Sequence, residues 1–305
     1  MPLNVHVITA LVEEPRSLID LRKAAGSPPQ TTMRGQMHRL IDLGIIERTQ
    51  RNAFPGNLDF ELGPAGHDLL PVLEVLRAWL AGAPDGPIEP GSLTAKSSVK
   101  ALVEGWSATI VRALAARPLS LTELDRLIAG LSYPSLERRL AAMRLAGQIV
   151  ACPGRNRGTP YSVTTWLRSA VGPLAAAARW ERKHPTAESD SIGRIDVEAA
   201  FLLVLPMVTI LPQHSGVCRL GVDMRSNGEH RLVGVLADVS EGRVAFCSSR
   251  LKGDATANVT GSPAAWLRAV LDRAPEQLEI IGDVELATEL VDGLYGALFS
   301  ALQRR

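Results

Sequence analysis

One pattern of apolar residues occurs twice in this chain, and its two occurrences lie 103 residues apart. The stretch TMRGQMHRLIDLGIIE begins at Thr32, and SLERRLAAMRLAGQIV begins at Ser135. Both have apolar residues at helical spacing, and each includes a glycine at the position where the helix should end. The match extends upstream of these stretches without a gap. Downstream it continues at an offset of 101, so that Trp79 of the first copy corresponds to Trp180 of the second. The chain therefore contains a duplicated unit of about 75–80 residues, the size of a small domain.

The duplication divides the 305 residues into a first copy at 1–83, a second copy at 104–185 and a third segment at 192–305. Residues 84–103 join the two copies and are rich in proline, glycine and serine, which is typical of a linker. The apolar content of 46% is sufficient for sizeable cores in a chain of this length.

Several classes of protein are not favoured by the sequence. Three cysteines are an odd number and show no CxxC spacing, which argues against a disulfide framework or a zinc site and favours a reducing cytoplasm. The N-terminus lacks the pattern of a signal peptide, and the most apolar run, residues 199–211, is short and broken by Pro206. The sequence therefore predicts a soluble protein that does not enter a membrane.

No catalytic motif is recognisable. The six histidines are scattered, and HExxH, GxSxG, GxGxxG and the P-loop pattern are all missing from the sequence. We therefore expect no catalysis, no metal and no cofactor.

The net charge of +1 hides an uneven distribution along the chain. Residues 1–83 carry a net charge of −1, residues 84–185 carry +7 and residues 186–305 carry −5. A basic second copy is expected of a protein that binds a polyanion, although the same excess is also consistent with an ordinary solvated face.

The second copy can be interpreted element by element. A helix over 108–116 ends before Pro118, and a second helix starts at Ser120 with Glu123 three residues later, which is the pattern of a capping box. Pro134 lies in the first turn of a third helix, and a β-hairpin and a closing helix follow. This order is typical of a winged helix-turn-helix domain, which places its third helix in the major groove of DNA and its hairpin against the backbone.

In this second copy the apolar side of the third helix must face the core, which leaves a set of polar or aromatic residues for DNA. The candidates are Tyr133, Ser135, Glu137 and Arg138 on the helix, with Arg155 and Arg157 in the wing. Glu137 is ambiguous, because a carboxylate accepts a hydrogen bond from cytosine N4 but repels phosphates.

The first copy has the same plan with less positive charge. Its candidates for DNA contact are Gln30, Thr31, Arg34 and His38 on the helix, with Arg48 and Arg51 in the wing. Its net charge of −1 leaves open a second interpretation, in which this copy is mainly a packing partner of the other.

Both copies resemble the HxlR-type winged-helix transcription regulators. The resemblance rests on LSYPSLERRLAAMRLAG and YSVTTWLRSAVGPLAAAARW in the second copy and on FELGPAGHDLLPVLEVLRAWL in the first. It implies a bacterial protein that binds duplex DNA sequence-specifically and dimerises through its first and last helices. Because this chain carries both units, the resemblance implies an intramolecular pseudo-dimer, with Trp79 and Trp180 either near the mutual interface or in each unit's own core.

The third segment has several short strands followed by ANVTGSPAAWLRAVL and LEIIGDVELATELVDGL, with Ser262 as the expected helix cap. It predicts an antiparallel-sheet α+β domain and resembles the sterol carrier protein type-2 family, which implies a cavity for a lipid-like ligand. Candidate lining residues are Trp266, Leu267, Val270, Leu290, Leu294 and Phe299. Ordinary core packing is the alternative for each of them.

The sequence therefore predicts a mainly α chain with an α+β part: two tandem winged helix-turn-helix domains and a sterol-carrier-like domain. The favoured function is a cytoplasmic transcription regulator that binds double-stranded DNA as a pseudo-dimer or homodimer and senses a small hydrophobic effector. The alternative is a protein-interaction or ligand-sequestering protein that retains winged-helix folds without binding an operator.

Overall fold

The computed structural model of the chain describes residues 2–50, 58–103, 105–128, 130–153, 158–185, 197–226 and 229–303. Within these residues the fold is mixed α/β, with two three-stranded sheets and one five-stranded sheet. Strands therefore contribute more than the mainly α prediction implied.

The first unit contains three helices, a small sheet and a long closing helix. Its elements are α1 (Pro2–Ala10), β1 (Arg16–Ser17), α2 (Leu18–Ala24), α3 (Gln30–Asp42), β2 (Ile46–Gln50), β3 (Leu58–Leu62) and α4 (Pro64–Ala81). The sheet is antiparallel with the order β1-β3-β2. Helix α3 ends before Gly44, whose φ of +65° is the left-handed conformation that glycine adopts at little cost.

Part of the expected linker is helical. Helix α5 (Leu93–Val103) begins after Ser92, whose hydroxyl accepts a hydrogen bond from the Ala95 backbone N–H at 3.0 Å. Ala95 and Ser98 are buried, and the Ser98 carbonyl oxygen accepts from Gln148 Nε2 at 3.4 Å. The linker prediction missed this helix because its buried side is set by contacts with both the first and the second unit.

The second unit follows the same order of elements as the first. It comprises α6 (Gly105–Ala116), β4 (Leu119–Ser120), α7 (Leu121–Leu127), α8 (Tyr133–Leu145), β5 (Ile149–Ala151), β6 (Pro160–Val163), α9 (Thr165–Ser169) and α10 (Val171–Lys183). Its antiparallel sheet has the order β4-β6-β5. Among the described residues the two units differ in that α9 and α10 take the place of the continuous helix α4.

Strand pairing in the two units agrees at both offsets seen in the sequence. The matched pairs are Ile46–Leu62 with Ile149–Val163, and Arg16–Phe60 with Leu119–Tyr161. In each case the first partner is displaced by 103 residues and the second by 101, because the loop between them is two residues shorter in the second unit. The two units therefore share a register as well as an order of elements.

The capping box predicted at Ser120 is confirmed. The Ser120 side chain accepts from the Glu123 backbone N–H, and Glu123 in turn accepts from the Ser120 backbone N–H at 2.8 Å. Ser17 caps α2 in the same way by accepting from the Asp20 backbone N–H, again 103 residues earlier. The cap is therefore a shared feature of both units.

The cap predicts a pH-dependent contribution to stability. The Ser120 backbone and side chain, with Arg117, lower the pKa of Glu123 from 4.5 to about 2. A lowered carboxyl pKa stabilises the fold above the unfolded pKa, and this contribution is lost as the pH falls from 4.5 towards 2. We expect Glu123→Gln to be destabilising at pH 7 and progressively less so towards pH 2, measured by urea denaturation. Asp125→Asn, which leaves the cap intact, is the control, and an equal pH dependence for both variants would contradict the assignment.

The described residues of the C-terminal unit form three α-helices, a 3₁₀ turn and a five-stranded sheet. Its elements are α11 (Val197–Val204), a 3₁₀ turn (Leu205–Met207), β7 (Gly216–Ser226), β8 (Glu229–Ser240), β9 (Arg243–Ser248), β10 (Ala257–Gly261), α12 (Pro263–Asp272), β11 (Glu279–Gly282) and α13 (Val284–Gln303). The Ser262 cap is confirmed, since its side chain accepts from the Ala265 backbone N–H at 3.2 Å.

The prediction of a purely antiparallel sheet is wrong at one pair of strands. The strand order is β11-β10-β7-β8-β9, and β10 runs parallel to β7. After β9 the chain crosses the sheet to reach the open edge of β7, so that a crossover replaces a hairpin. Short strands do not reveal such a crossover in the sequence, because both arrangements bury alternate residues.

The second and C-terminal units share one continuous hydrophobic core. Helix α11 and the 3₁₀ turn lie between them, and Phe201, Leu202 and Leu205 are each at most 7% exposed. The first unit has a core of its own. The predicted boundary between 185 and 192 therefore does not separate two independent cores.

The apolar run at 199–211 lies largely within this shared core. Among the described residues, no helix is both long enough and apolar enough to cross a bilayer.

Candidate nucleic-acid interface

The outer face of α3 carries the residues predicted to contact DNA in the first unit. Met33, Met37 and Leu40 are buried against the core, and the opposite side of the helix is exposed at Gln30, Thr31, Arg34 and His38. His38 Nδ1 lies 3.1 Å from the Arg34 carbonyl oxygen, one helical turn back. The buried and exposed sides of α3 are therefore those that the spacing of its apolar residues predicts.

Helix α8 has the same division, with Leu136, Leu140 and Met143 buried. Of the predicted contact residues, Tyr133, Glu137 and Arg138 are exposed and Ser135 is half-buried.

A short polar network fixes the first turn of α8. Ser132 Oγ donates to Ser135 Oγ at 3.0 Å, and Arg138 Nη2 donates to the same oxygen at 3.4 Å. Arg138 is thereby oriented towards the N-terminal end of the helix, the end that contacts base edges in helix-turn-helix proteins.

The two helices present different chemistry at equivalent positions. At the offset of 103, Arg34 corresponds to Glu137, and Gly35 corresponds to Arg138. The positive charge is therefore displaced by one residue, about 100° around the helix axis, between the two units.

The structure describes only part of the predicted wings. Arg48 lies in β2 opposite Phe60 and its side chain is exposed. Arg51, Arg155 and Arg157 lie outside the described residues, so their predicted phosphate contacts remain predictions.

The closing helices α4 and α10 pack together, and two reciprocal hydrogen bonds join the first and second units. Trp79 Nε1 donates to the Trp166 carbonyl oxygen at 2.8 Å, and Trp180 Nε1 donates to the Ala65 carbonyl oxygen at 2.8 Å. Trp79 corresponds to Trp180, and Ala65 to Trp166, at the same offset of 101. Each unit thus gives the other the same bond, as in the interface of a two-fold symmetric dimer.

One additional contact breaks this symmetry. The Trp79 and Trp166 rings are stacked with centroids 4.8 Å apart and planes 7° from parallel, and Trp166 Nε1 donates to the Trp79 carbonyl oxygen at 2.8 Å. Both side chains are buried. The sequence prediction of an interface named Trp79 and Trp180 and missed Trp166, although a large aromatic residue where the first unit has alanine was a usable signal.

Comparison with protein families agrees with this geometry for the first unit. Residues 3–85 match the HxlR-like helix-turn-helix family. The match covers α1 to α4, so the first unit is an HxlR-like winged helix. No curated protein matches the chain.

Several basic residues of the second unit form ion pairs with the HxlR-like unit and with the C-terminal unit. Four ion pairs connect basic residues of the second unit to acidic residues elsewhere: Arg112–Glu198 at 2.5 Å, Arg179–Asp272 at 3.6 Å, Arg182–Asp272 at 2.8 Å and Lys183–Asp68 at 2.7 Å. The predicted basic surface is therefore smaller than the net charge of +7 suggested, because charge counts do not distinguish contacts within the chain from exposed cations.

Asp68 of the HxlR-like unit accepts from two neighbouring residues at the end of α10. Lys183 Nζ and His184 Nε2 each lie 2.7 Å from Asp68 Oδ2. These hydrogen bonds lower the pKa of the Asp68 carboxyl. Asp68 therefore remains ionised and pairs with the second unit.

Arg168 connects the second unit to the C-terminal unit. Its Nη1 donates to the Leu202 carbonyl oxygen at 2.7 Å, and its Nη2 donates to the Ala115 carbonyl oxygen at 3.4 Å. Both carbonyls lie near the C-terminal ends of their helices, where a positive charge is favourable. Burial lowers the pKa of this guanidinium.

The residues predicted to line an effector pocket lie in the shared core. Trp266, Leu290, Leu294 and Phe299 are buried, and Leu267 and Val270 are half-buried. The Trp266 ring packs edge-on against Phe201 at 5.0 Å, and its Nε1 donates to the Gly221 carbonyl oxygen at 2.8 Å. Four of them belong to the shared core and the other two pack against it, and the pocket itself stays a prediction.

No metal centre is formed among the described residues, where no group of three or more His, Cys, Asp or Glu side chains is placed to hold an ion. Cys218 is buried in the sheet, and burial, with Asp283 nearby, raises the pKa of its thiol to about 12. A protonated thiol is a poor nucleophile and a poor metal ligand.

Proposed function

We propose that the chain is a DNA-binding transcription regulator. The observation that carries the proposal is the HxlR-like winged helix at residues 3–85, whose helix α3 exposes Gln30, Thr31, Arg34 and His38 on the side away from its core. Helices of this kind enter the major groove, where such side chains hydrogen-bond to base edges. Arg48 and the wing residues Arg51, Arg155 and Arg157 supply phosphate contacts in this proposal.

We propose further that residues 104–185 form a second winged helix and that the two units act as a pseudo-dimer within one chain. The shared strand register and the reciprocal bonds from Trp79 and Trp180 support this arrangement. The two helices α3 and α8 would then contact half-sites about 34–36 Å apart, one turn of DNA. Their different outer faces require the half-sites to differ in sequence.

The C-terminal unit is proposed to be a sterol-carrier-like sensor of a small apolar effector. Support comes from the resemblance of its sequence and from the apolar residues of α12 and α13, which lie in the same core as the second unit. An effector changes DNA affinity only if it binds one arrangement of the two units better than another.

The rest of the proposal concerns partners and location. Double-stranded DNA is the macromolecular partner, the chain works as a monomer or a homodimer, and it has no catalytic activity and needs no cofactor. A bacterial cytoplasm is the expected setting for a regulator of this class.

The proposal is tested by fluorescence anisotropy of the full chain against labelled duplexes over a series of salt concentrations. One duplex has a random sequence, and the other comes from upstream of the chain's own gene. We expect salt-sensitive binding with a preference for the upstream duplex, because phosphate contacts release counterions and base contacts discriminate. Absence of binding to both duplexes at low salt would overturn the proposal.

The two wing arginines of the second unit give a sharper prediction. Arg155→Ala and Arg157→Ala should each reduce the log–log salt slope of binding by about one unit, since each removes one phosphate contact. Arg250→Ala, which removes an exposed arginine of the C-terminal unit, should leave the slope unchanged. Slopes equal to the wild-type value in both wing variants would remove these residues from the DNA interface.

A second candidate function is supported by the distribution of charge. Glu137 occupies the position of Arg34 on the outer face of α8, and several cations of the second unit are held in ion pairs with the other two units. A surface of this kind suits a protein partner better than a phosphate backbone. In that case the chain would be a protein-interaction or ligand-sequestering protein, and it would fail to bind either duplex.

A further inference from the structure

A glycine brings the C-terminal helix into contact with the helices that join the two winged units. Gly172, near the start of α10, is buried. A Cβ atom at this position would lie 2.7 Å from the Leu298 carbonyl oxygen of α13 and 3.6 Å from Val75 Cγ1 of α4. The backbone of α13 therefore lies directly on the α4–α10 pair, at a distance that a side chain would not permit.

Helix α13 reaches this point from the sheet of the C-terminal unit. Near its first turn, Leu286 lies beside Gly216 of β7, and in its middle Gly293 packs against Val208 and Ile210. From Leu286 to Leu298 the helix rises about 18 Å. It is one rigid element with one end on the sheet and the other end on the winged units.

A second contact holds the same two bodies together. Asp272, the last residue of α12, pairs with Arg182 at 2.8 Å and with Arg179 at 3.6 Å, both on α10. Arg273, the next residue, lies over the Tyr295 ring of α13 at 4.9 Å. The C-terminal unit thus contacts α10 near both of its ends. Leu298 lies against Gly172 near the start of α10, and Asp272 pairs with Arg179 and Arg182 near its end.

We infer that Gly172 is a positioning residue: by admitting the α13 backbone against α4 and α10, it sets the distance between the recognition helices α3 and α8. This inference rests on the proposed pseudo-dimer on DNA. Helix α4 belongs to the first winged unit and α10 to the second, so a helix resting on both limits how one moves against the other. Displacing α13 by the width of a methyl group therefore changes the orientation of α4 relative to α10.

The test measures the distance between the recognition helices without DNA. Spin labels are attached through Thr32→Cys on α3 and Ala141→Cys on α8, both exposed positions, in a full-length chain that carries Cys152→Ser. Pulsed electron paramagnetic resonance then gives the distribution of label distances. We expect Gly172→Ala to move the mean by at least about 2 Å or to broaden the distribution, since helix shifts at interfaces are of this size.

The matched control is Gly296→Ala on α13, where a Cβ atom has no neighbour within 4 Å. It should leave the distances at the wild-type value. A Gly172→Ala chain that folds and gives the wild-type distribution would overturn the inference. If Gly172→Ala does not fold, Asp272→Asn, which breaks the partly exposed ion pairs, takes its place. It should broaden the distribution, and an unchanged distribution would overturn the inference equally.

A second readout uses DNA and separates this inference from the proposed function. The wild-type and Gly172→Ala chains each select from a library of randomised duplexes, and the spacing between the two enriched half-sites is compared. A change of spacing supports a positioning role, whereas a loss of stability alone lowers enrichment at an unchanged spacing. If neither chain enriches any sequence, the proposed function fails, while the label distances still decide whether α13 positions the two helices.

Discussion

Replacing Phe201 with alanine should lower the free energy of unfolding by about 3–5 kcal/mol, the usual loss for an aromatic residue in a well-packed core. Phe201 is 7% exposed and packs edge-on against Trp266 at 5.0 Å. Because it lies in the core shared by the second and C-terminal units, both units should lose stability together. The first unit, which has its own core, should be affected less.

Hydrogen exchange measures this effect element by element. In Phe201→Ala the amides of α8 and of β7 to β10 should exchange faster by a common factor, while those of α3 should change less. The control is Phe246→Ala, which removes the same side chain from a site that is 61% exposed and should change stability by no more than about 0.5 kcal/mol. Faster exchange confined to the C-terminal unit would show that the second and C-terminal units unfold independently in spite of their shared core.

Local features of the fold were predictable from the sequence because they depend on neighbouring residues. The spacing of Leu136, Leu140 and Met143 fixes which face of α8 is buried, and a serine followed by an acidic residue three positions later fixes where α7 begins. The repeated apolar pattern was visible for the same reason, since it consists of local spacings between residues. The agreement of strand register at both offsets follows from it.

Features that depend on distant contacts were not predictable. The run from Phe201 to Leu205 is apolar on every side, which indicates burial but not the partner against which it is buried. In the structure it lies between the second unit and the sheet, so that two predicted domains have one core. The parallel pairing of β10 with β7 and the helix at Leu93–Val103 were missed because each is decided by where the chain returns in space.

The same distinction between local and distant contacts applies to the candidate site. The outer faces of α3 and α8 were predictable, apart from the half-buried Ser135, because a helix with one buried side exposes the other. The ion pairs of Lys183 with Asp68 and of Arg182 with Asp272 were not, since each joins residues about 90 to 115 positions apart. Counting charges therefore overestimated the cations available to DNA.

Replacing Trp79 with alanine should loosen the interface between the first and second units and, for the proposed pseudo-dimer, weaken binding to a two-half-site duplex by a factor of up to about 10²–10⁴, the usual gain from linking two binding modules. Trp79 is 5% exposed, stacks on Trp166 and donates to its carbonyl oxygen. Without this side chain the interface loses its stacked pair and one of its two reciprocal bonds. Each unit would then bind its half-site without a fixed relation to the other.

Hydroxyl-radical footprinting distinguishes this loss from general unfolding. The wild-type chain should protect two regions about 34–36 Å apart, and Trp79→Ala should protect the same regions independently and with lower affinity. Trp180→Phe keeps an aromatic ring and removes only the N–H that bonds to the Ala65 carbonyl oxygen. It should destabilise the interface by about 1–3 kcal/mol, the cost of a buried carbonyl without its donor, and leave the double footprint intact. If Trp79→Ala retained wild-type affinity for the complete site, the Trp79–Trp166 contact would be no more than core packing, and the pseudo-dimer would have to be held by the C-terminal unit through α13 instead.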